Sequence, residues 1–455
     1  MYLDTSVENR HPALYAAFLC VTLLPLYFVS WQYHTRYPYS RQPASSSRPP
    51  STDFVADWLN THVVEPFNPS AISAYCNQSE WNPNLIFRLD NANGGIGNVR
   101  GNILDFLFFA LEAGASIMLP DMASRSDSDI SNVWGGRAAF DLYFDETWFL
   151  DALRESCPQM EVYKAKDDQR MAEAIGKYLP KSRRMDEKTG DGPLNTKVAY
   201  LEHFTQWLTN QSGYHTDGLA LVNTERTLWA VDTRSLPQGF RHSFSQLLRV
   251  NPTVRHLAAL VVQNLATKHE VEIDPRDSIP ANAFFGAHLR TEVDARNAGW
   301  LNEPGSNFSA QTDAYIESAL EHNIRIMYVA TGDAADLARF KLKAATHLPA
   351  VNLTSKLDLL PPHDLEMLKS LTWDQQALVD YEVLQRCSIF GGFVKSSFSY
   401  NIAMTRSEWS DEMRRVADPW LALHTEESVA FDDGLSRIIG RDGWHEHRIP
   451  RGMWP

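Results

Sequence analysis

Three apolar runs in the second half of the chain, each stopping abruptly at polar residues, restrict what it can fold into. Residues 283–287 (Ala-Phe-Phe-Gly-Ala) lead into His288-Leu-Arg290, and residues 325–330 (Arg-Ile-Met-Tyr-Val-Ala) lead into Thr331-Gly332-Asp333. Residues 388–391 (Ser-Ile-Phe-Gly) are followed by Gly392-Phe-Val-Lys395-Ser396-Ser397-Phe398-Ser399. Each run is too short for a buried helix and suits a buried strand. Residues 312–321 read as a crossover helix between the first two, and residues 334–345 as another after the second. Alternating strands and helices imply a parallel sheet with right-handed crossovers, so all three polar ends emerge on one rim. That rim is where open α/β sheets bind ligands.

An arginine at such a rim has two readings. Arg290 is always charged and carries a planar fork of donors that matches a phosphate; it is also close in sequence to Glu292 and Asp294, partners for a structural ion pair. The other two polar ends favour the phosphate, with Glu292 and Asp294 as supports that orient the arginine. Ser396, Ser397 and Ser399 precede the apolar stretch 400–404, where a helix is expected to begin. Their hydroxyls either cap that helix or join its free N–H groups in facing an anion. Lys395 adds charge, and Thr331 or Asp333 is placed to reach a base or a ribose.

The first half holds one similar unit. Residues 85–89 (Leu-Ile-Phe-Arg-Leu) read as a strand, Asn93-Gly94-Gly95-Ile96-Gly97-Asn98 as a tight loop, residues 103–113 as an apolar helix and residues 115–119 as a second strand. Glycines there let a ligand approach the N–H groups at a helix start. A dinucleotide-binding reading fails on spacing, because Arg100 stands where a third glycine belongs and Gly101 is one place late. Further strands are expected at 219–222 and 227–231, and Asn251-Pro252 starts a helix over 254–265. The Asp127-Ser-Asp129 pair lies in a serine-rich run and reads as a solvated loop rather than a metal site. His445-Glu-His447 likewise reads as surface.

At 455 residues the chain calls for two globular domains, and its formal net charge of −14 argues against nucleic acid as a partner. Residues 12–31 carry no charge and are about long enough to cross a bilayer as a helix. A cleaved signal peptide is the rival; the non-basic segment before the run and the missing small-x-small site after it favour an anchor. A Pro- and Ser-rich stretch from 36 to 52 follows, too poor in apolar residues to pack. Four glycosylation sequons, at Asn77, Asn210, Asn307 and Asn352, all lie beyond it. Of four cysteines, Cys20 falls in the apolar run, and Cys76 with Cys157 is the expected disulfide.

Taken in order, Gly94-Gly95-Ile-Gly97-Asn98, His288-Leu-Arg290-Thr-Glu292-Val-Asp294-Ala295, and Asp380-x-x-Val383 through Phe390-Gly-Gly to Ser396-Ser-Phe-Ser399 resemble the motif regions of GDP-fucose protein O-fucosyltransferases. The middle motif is similar to the plant-type branch, and the resemblance runs from about Leu85 to Arg406. It implies an α/β, GT-B-like fold: two Rossmann-like domains with a cleft between them, here behind an N-terminal transmembrane helix. The expected organisation is a cytoplasmic tail (1–11), an anchor (12–31), a flexible stem (32–54), an acceptor-side domain (55–275) and a nucleotide-sugar-binding domain (276–455). The resemblance also implies inverting transfer of fucose from GDP-fucose to a protein or glycan hydroxyl, with no metal and no other cofactor. A single-pass type II enzyme of the Golgi or endoplasmic reticulum membrane is the expected setting. By position, Arg290 is the catalytic group on the β-phosphate; Ser396, Ser397 and Phe398 contact the donor. His288, Asp294, Thr331 and Asp333 line the nucleotide site, and Gly94, Gly95, Gly97 and Asn98 face it from the N-terminal side. Some members place a carboxylate in the glycine loop as general base, whereas this loop holds Asn91, Asn93 and Asn98 after Asp90. Two alternatives stand beside a fucosyltransferase: a degenerate binder of GDP-sugars or glycans, and a transferase using another nucleotide sugar.

Overall fold

The computed structural model describes residues 49–455 except 65, 90–91, 127–128, 165–172, 181–196, 409–428 and 441–450. The apolar run 12–31, most of the stem, Asp90, Asn91, Asp127 and the His445–His447 pair lie outside the described residues. Among the described residues no helix is long and apolar enough to cross a membrane.

The chain forms a mixed α/β fold built on two parallel sheets. The first draws on β1 (Leu85–Leu89), β2 (Ser116–Met118), β5 (Val162–Tyr163), β6 (Gly176–Tyr178) and β7 (Ala220–Thr224), in the order β5-β2-β1-β7-β6. A separate antiparallel hairpin, β3 (Met122–Ser124) with β4 (Gly136–Ala138), follows the edge of β2. The second sheet holds β8 (Phe285–His288), β9 (Ile326–Ala330), β10 (Asn352–Thr354), β11 (Ile389–Phe393), β12 (Val429–Asp432) and β13 (Ser436–Ile439). Its order is β10-β9-β8-β11-β13-β12, and only the β12–β13 pair is antiparallel. Here β8 is central: the chain runs outward through β9 and β10, then returns to β11 on the opposite side. The reversal creates a crevice at the carboxyl ends of β8 and β11, the usual ligand position in such sheets.

Composition explains the sheets. β1, β7, β8 and β11 are buried nearly throughout. Close approach fixes two glycines of the second sheet: a Cβ at Gly286 would meet Cys387 Sγ at 2.7 Å, and one at Gly391 would meet Tyr315 at 2.6 Å. The helix Pro252–His269 begins as expected, with the Asn251 side chain accepting from Thr253 N–H and proline in the first turn. Residues 227–231 are not a strand. Trp229 adopts a positive φ of 50°, and Ala230 N–H donates to the buried Asp105 carboxylate, so this apolar segment is a buried loop satisfied by a side chain instead of a ladder.

Two features tie the layers together. Cys76 and Cys157 are bonded, joining the helices Pro69–Cys76 and Glu146–Ser156. Arg406 is wholly buried, and its guanidinium donates to Ser436 Oγ and to the carbonyls of Gln385, Cys387, Ser388 and Leu435. It thereby cross-links the segments flanking β11 and β13.

Candidate active site

A cavity of about 960 Å³ opens at the crevice of the second sheet and is closed on its other side by the glycine loop after β1. Its wall includes Gly94, Gly95, Asn98, His288, Arg290, Asp294, Thr331, Ser396, Ser397 and Phe398. Four helices of 11 residues or more start on this wall: Ile96–Ala113, Ala334–Thr346, Trp373–Gln385 and Ser397–Ser407. Unpaired N–H groups at helix starts carry partial positive charge, so the convergence favours an anion before any side chain is counted.

Arg290 follows β8 and is held from three sides. Nη1 donates to Glu292 Oε2 at 2.6 Å and to Asp294 Oδ1 at 2.8 Å, and Nη2 donates to Asp294 Oδ2 at 2.6 Å. Its backbone N–H donates to Gln311 Oε1 and its ring-facing side lies 5.7 Å from the Trp300 ring centroid. Burial works against the charged guanidinium, but the two carboxylates outweigh it and raise the Arg290 pKa further. Both sequence readings therefore meet in one residue. A guanidinium has five N–H groups, and the ion pairs use three. Among the described residues, the Nε–H and the second Nη2–H, which together form one edge of the fork, make no hydrogen bond.

Glu292 spans two strand ends. Its Oε1 accepts from Gly332 N–H at 2.8 Å and from Thr331 Oγ1 at 3.3 Å, which links the end of β8 to that of β9. Burial raises the Glu292 pKa, while Arg290, His288 and the Gly332 N–H pull it down, and the net shift is downward. The Asp294 carboxyl is also lowered: burial opposes, and the hydrogen bonds and charge of Arg290 prevail. Both stay ionised and both are committed to Arg290. His288 is buried, its Nδ1 2.7 Å from Ser399 Oγ and its ring 4.6 Å from that of Phe398. Burial, helped by Arg290, lowers its pKa to about 4, so the ring is neutral at physiological pH.

Two expected site residues do not reach the cavity. Asp333 caps the helix Ala334–Thr346 by accepting from Ala335 and Asp336 N–H, and it pairs with Arg296 at 2.9 Å. An acidic residue just before a helix start is used more readily as a cap than as a ribose ligand. Gly97 lies behind the wall, where a Cβ would meet the Ser397 carbonyl carbon at 2.7 Å. The glycine allows the start of the helix Ile96–Ala113 to touch that of Ser397–Ser407. Ser396 is an N-cap, its Oγ accepting from Ser399 N–H, and it lines the cavity as well.

The sequence reading missed the opposite wall. Arg125, just after β3, lies 4.8 Å from the Trp373 ring centroid and pairs with Asp374 at 3.4 Å. Lys356 pairs with Asp380 at 2.5 Å, and Tyr328 Oη donates to the same carboxylate at 2.6 Å. Trp229, Trp300 and Trp373 add aromatic faces. Arg125 was hidden in a serine-rich run that reads as surface. The other two did leave a signal: Thr372-x-x-Gln375 and Ser355-x-x-Asp358 are capping boxes that mark helix starts.

Every carboxylate on the wall thus faces a cation: Glu292 and Asp294 face Arg290, Asp374 faces Arg125, and Asp380 faces Lys356. Among the described residues no group of three or more His, Cys, Asp or Glu side chains is arranged to hold a metal ion.

Solved structures similar in shape are distant. They include POFUT1 in complex with GDP, at 14% identity over 73% of this chain and 97% of that one, with a TM-score of 0.40. The fucosyltransferase NodZ from Bradyrhizobium matches at 12% identity over 71% and 92%, with a TM-score of 0.37. A mutant of Arabidopsis thaliana FUT1 in complex with GDP matches at 12% over 79% and 78%, with a TM-score of 0.35. No curated protein sequence matches. The family model for GDP-fucose protein O-fucosyltransferases matches residues 85–408, which take in both sheets' cavity edges and every lining residue described above. The chain therefore belongs to the GDP-fucose protein O-fucosyltransferase family, and is a glycosyltransferase of that kind.

Proposed function

We propose that the protein transfers fucose from GDP-fucose to a hydroxyl of a protein or glycan, with inversion and without a metal, in a GT-B-like cleft between its two sheets. One observation carries the reading: the free Nε–Nη2 edge of Arg290, fixed by two ionised carboxylates in a cavity ringed by helix starts. In the reaction the acceptor oxygen bonds to the anomeric carbon as the bond from that carbon to the β-phosphate oxygen breaks. The electron pair leaves with GDP, and the acceptor proton passes to solvent. Negative charge grows on the departing diphosphate, where a preorganised arginine and helix N–H groups stabilise it selectively. Ser396, Ser397 and Phe398 contact the donor phosphates and sugar, and His288, Asp294 and Thr331 line the nucleotide site. Gly94, Gly95 and Asn98 face it across the cleft. A luminal setting behind an N-terminal anchor, in a type II orientation in the Golgi or endoplasmic reticulum membrane, agrees with all four sequon asparagines being exposed.

Calorimetric titration with a panel of nucleotide sugars in chelator tests this. Binding of GDP-fucose above all others is expected. Preference for another nucleotide sugar, or binding that needs added divalent metal, overturns the donor or the metal-free assignment respectively. A second reading, a donor-binding protein without turnover, is favoured by the pairing of every lining carboxylate, which leaves none unpaired as a base. Turnover of GDP-fucose, abolished by Arg290→Lys, excludes it.

A further inference from the structure

A second, smaller cavity of about 110 Å³ lies away from the donor site, between residues 58–64 and 245–255 on one side and Glu382 and Arg386 on the other. Four arginines, Arg100, Arg249, Arg255 and Arg386, line it together with one side-chain carboxylate, Glu382, and with Pro455. Arg100 is satisfied by the main-chain oxygens of Ser245, Trp454 and Pro455. The others have donors to spare. Arg386 gives its terminal N–H groups to the carbonyls of Trp58, Pro275 and Asp277, yet its buried Nε has no acceptor. Arg255 donates to Leu59 O, and its Nε comes no nearer than 4.0 Å to Glu382. The Arg249 side chain makes no hydrogen bond among the described residues; its guanidinium lies 3.4 Å over the Trp148 ring centroid.

The buried Arg386 Nε without an acceptor costs about 1–3 kcal/mol, and the half-buried Arg249 and Arg255 guanidiniums stand beside it, so an acceptor is expected here. A nucleotide is far too large for the space. The geometry points to a site for hydrogenphosphate, with Arg249, Arg255 and Arg386 donating to its oxygens and its P–OH proton donated to Glu382. An ionised Glu382 decides between oxyanions: hydrogenphosphate keeps a proton to give it, whereas sulfate at the same pH has none, so the carboxylate repels it against the pull of the arginines. The excess positive charge is also visible on His62 in the same wall, whose pKa falls to about 4 through burial and then through Arg249, Arg255 and Arg386. The helix Trp373–Gln385 places Trp373 and Asp374 at the donor cavity and Glu382 at this one, so both ligands load the same element.

Titration of inorganic phosphate and of sodium sulfate, at matched ionic strength, into protein saturated with GDP separates this site from the donor cavity. Phosphate is expected to bind and sulfate not to. Arg249→Met, which keeps a side chain over Trp148, is expected to weaken phosphate by about 10- to 100-fold, the worth of one charge-assisted hydrogen bond. Glu382→Gln is expected to admit sulfate. Equal binding of the two anions, no phosphate binding, or full phosphate affinity in Arg249→Met overturns the assignment.

Discussion

Replacing Arg290 by lysine separates the two duties given to it. Lysine keeps the charge but offers one ammonium in place of a planar fork. In the structure, the fork makes three hydrogen bonds of 2.6–2.8 Å to Glu292 and Asp294. An ammonium at the end of a shorter reach keeps at most one carboxylate well bonded, so two charge-assisted bonds go, and at ~1.5–3 kcal/mol each a stability loss of about 3–6 kcal/mol is expected. The catalytic loss is separate. The Nε–Nη2 edge that makes no hydrogen bond disappears, and removal of one preorganised donor to a developing anion costs about 10²–10³ in rate. Urea denaturation gives the first quantity; turnover of GDP-fucose at saturating donor, measured well below the unfolding transition, gives the second. Asp294→Asn is the companion, since it removes an anchor and leaves the cavity edge of the arginine in place. It is expected to lose stability with a rate loss of less than about tenfold. If folded Arg290→Lys turns over within about threefold of the wild type, Arg290 is a structural ion pair alone and has no catalytic part.

Three further outcomes follow from named contacts. Gly97→Ala drives a Cβ against the Ser397 backbone, which cannot rotate away; a cost of about 1–3 kcal/mol and weaker donor binding are expected by denaturation and calorimetry, and unchanged affinity contradicts the contact. Arg406→Met leaves the carbonyls of Gln385, Cys387, Ser388 and Leu435 without their shared donor and is expected to destabilise the fold by at least about 3 kcal/mol in urea. His288 has a folded pKa lowered to about 4 from 6.5, so its neutral form supports the fold. That contribution is full above the unfolded pKa and is lost as pH falls from 6.5 through about 4. It is of the order of 3 kcal/mol, and His288→Asn is expected to flatten the stability profile across that window.

The strand ends were legible because burial writes itself as uninterrupted apolar sequence. β1 lies where the sequence places it, and β8, β9 and β11 lie within two residues of it. The capping asparagine and proline before residue 253 did the same for a helix. Residues 227–231 misled because an apolar run that is buried as a loop has the same composition as a strand, and the Asp105 carboxylate that satisfies its backbone lies 125 residues away. Arg125 was illegible for a related reason. It belongs to the site only through Asp374, a partner that the fold brings from 249 residues away. Asp333 shows the reverse, a residue of the right chemistry at the right strand end that the helix beside it had already engaged.

The pairing of every cavity carboxylate with a cation also governs how a donor arrives. Such pairs cancel beyond a Debye length of about 8–10 Å, so an approaching nucleotide sugar meets the field of the whole chain, whose net charge is −14. That field repels a diphosphate. Capture then depends on short-range contacts after collision, and added salt, which slows most charged encounters of this kind, is expected to hasten this one.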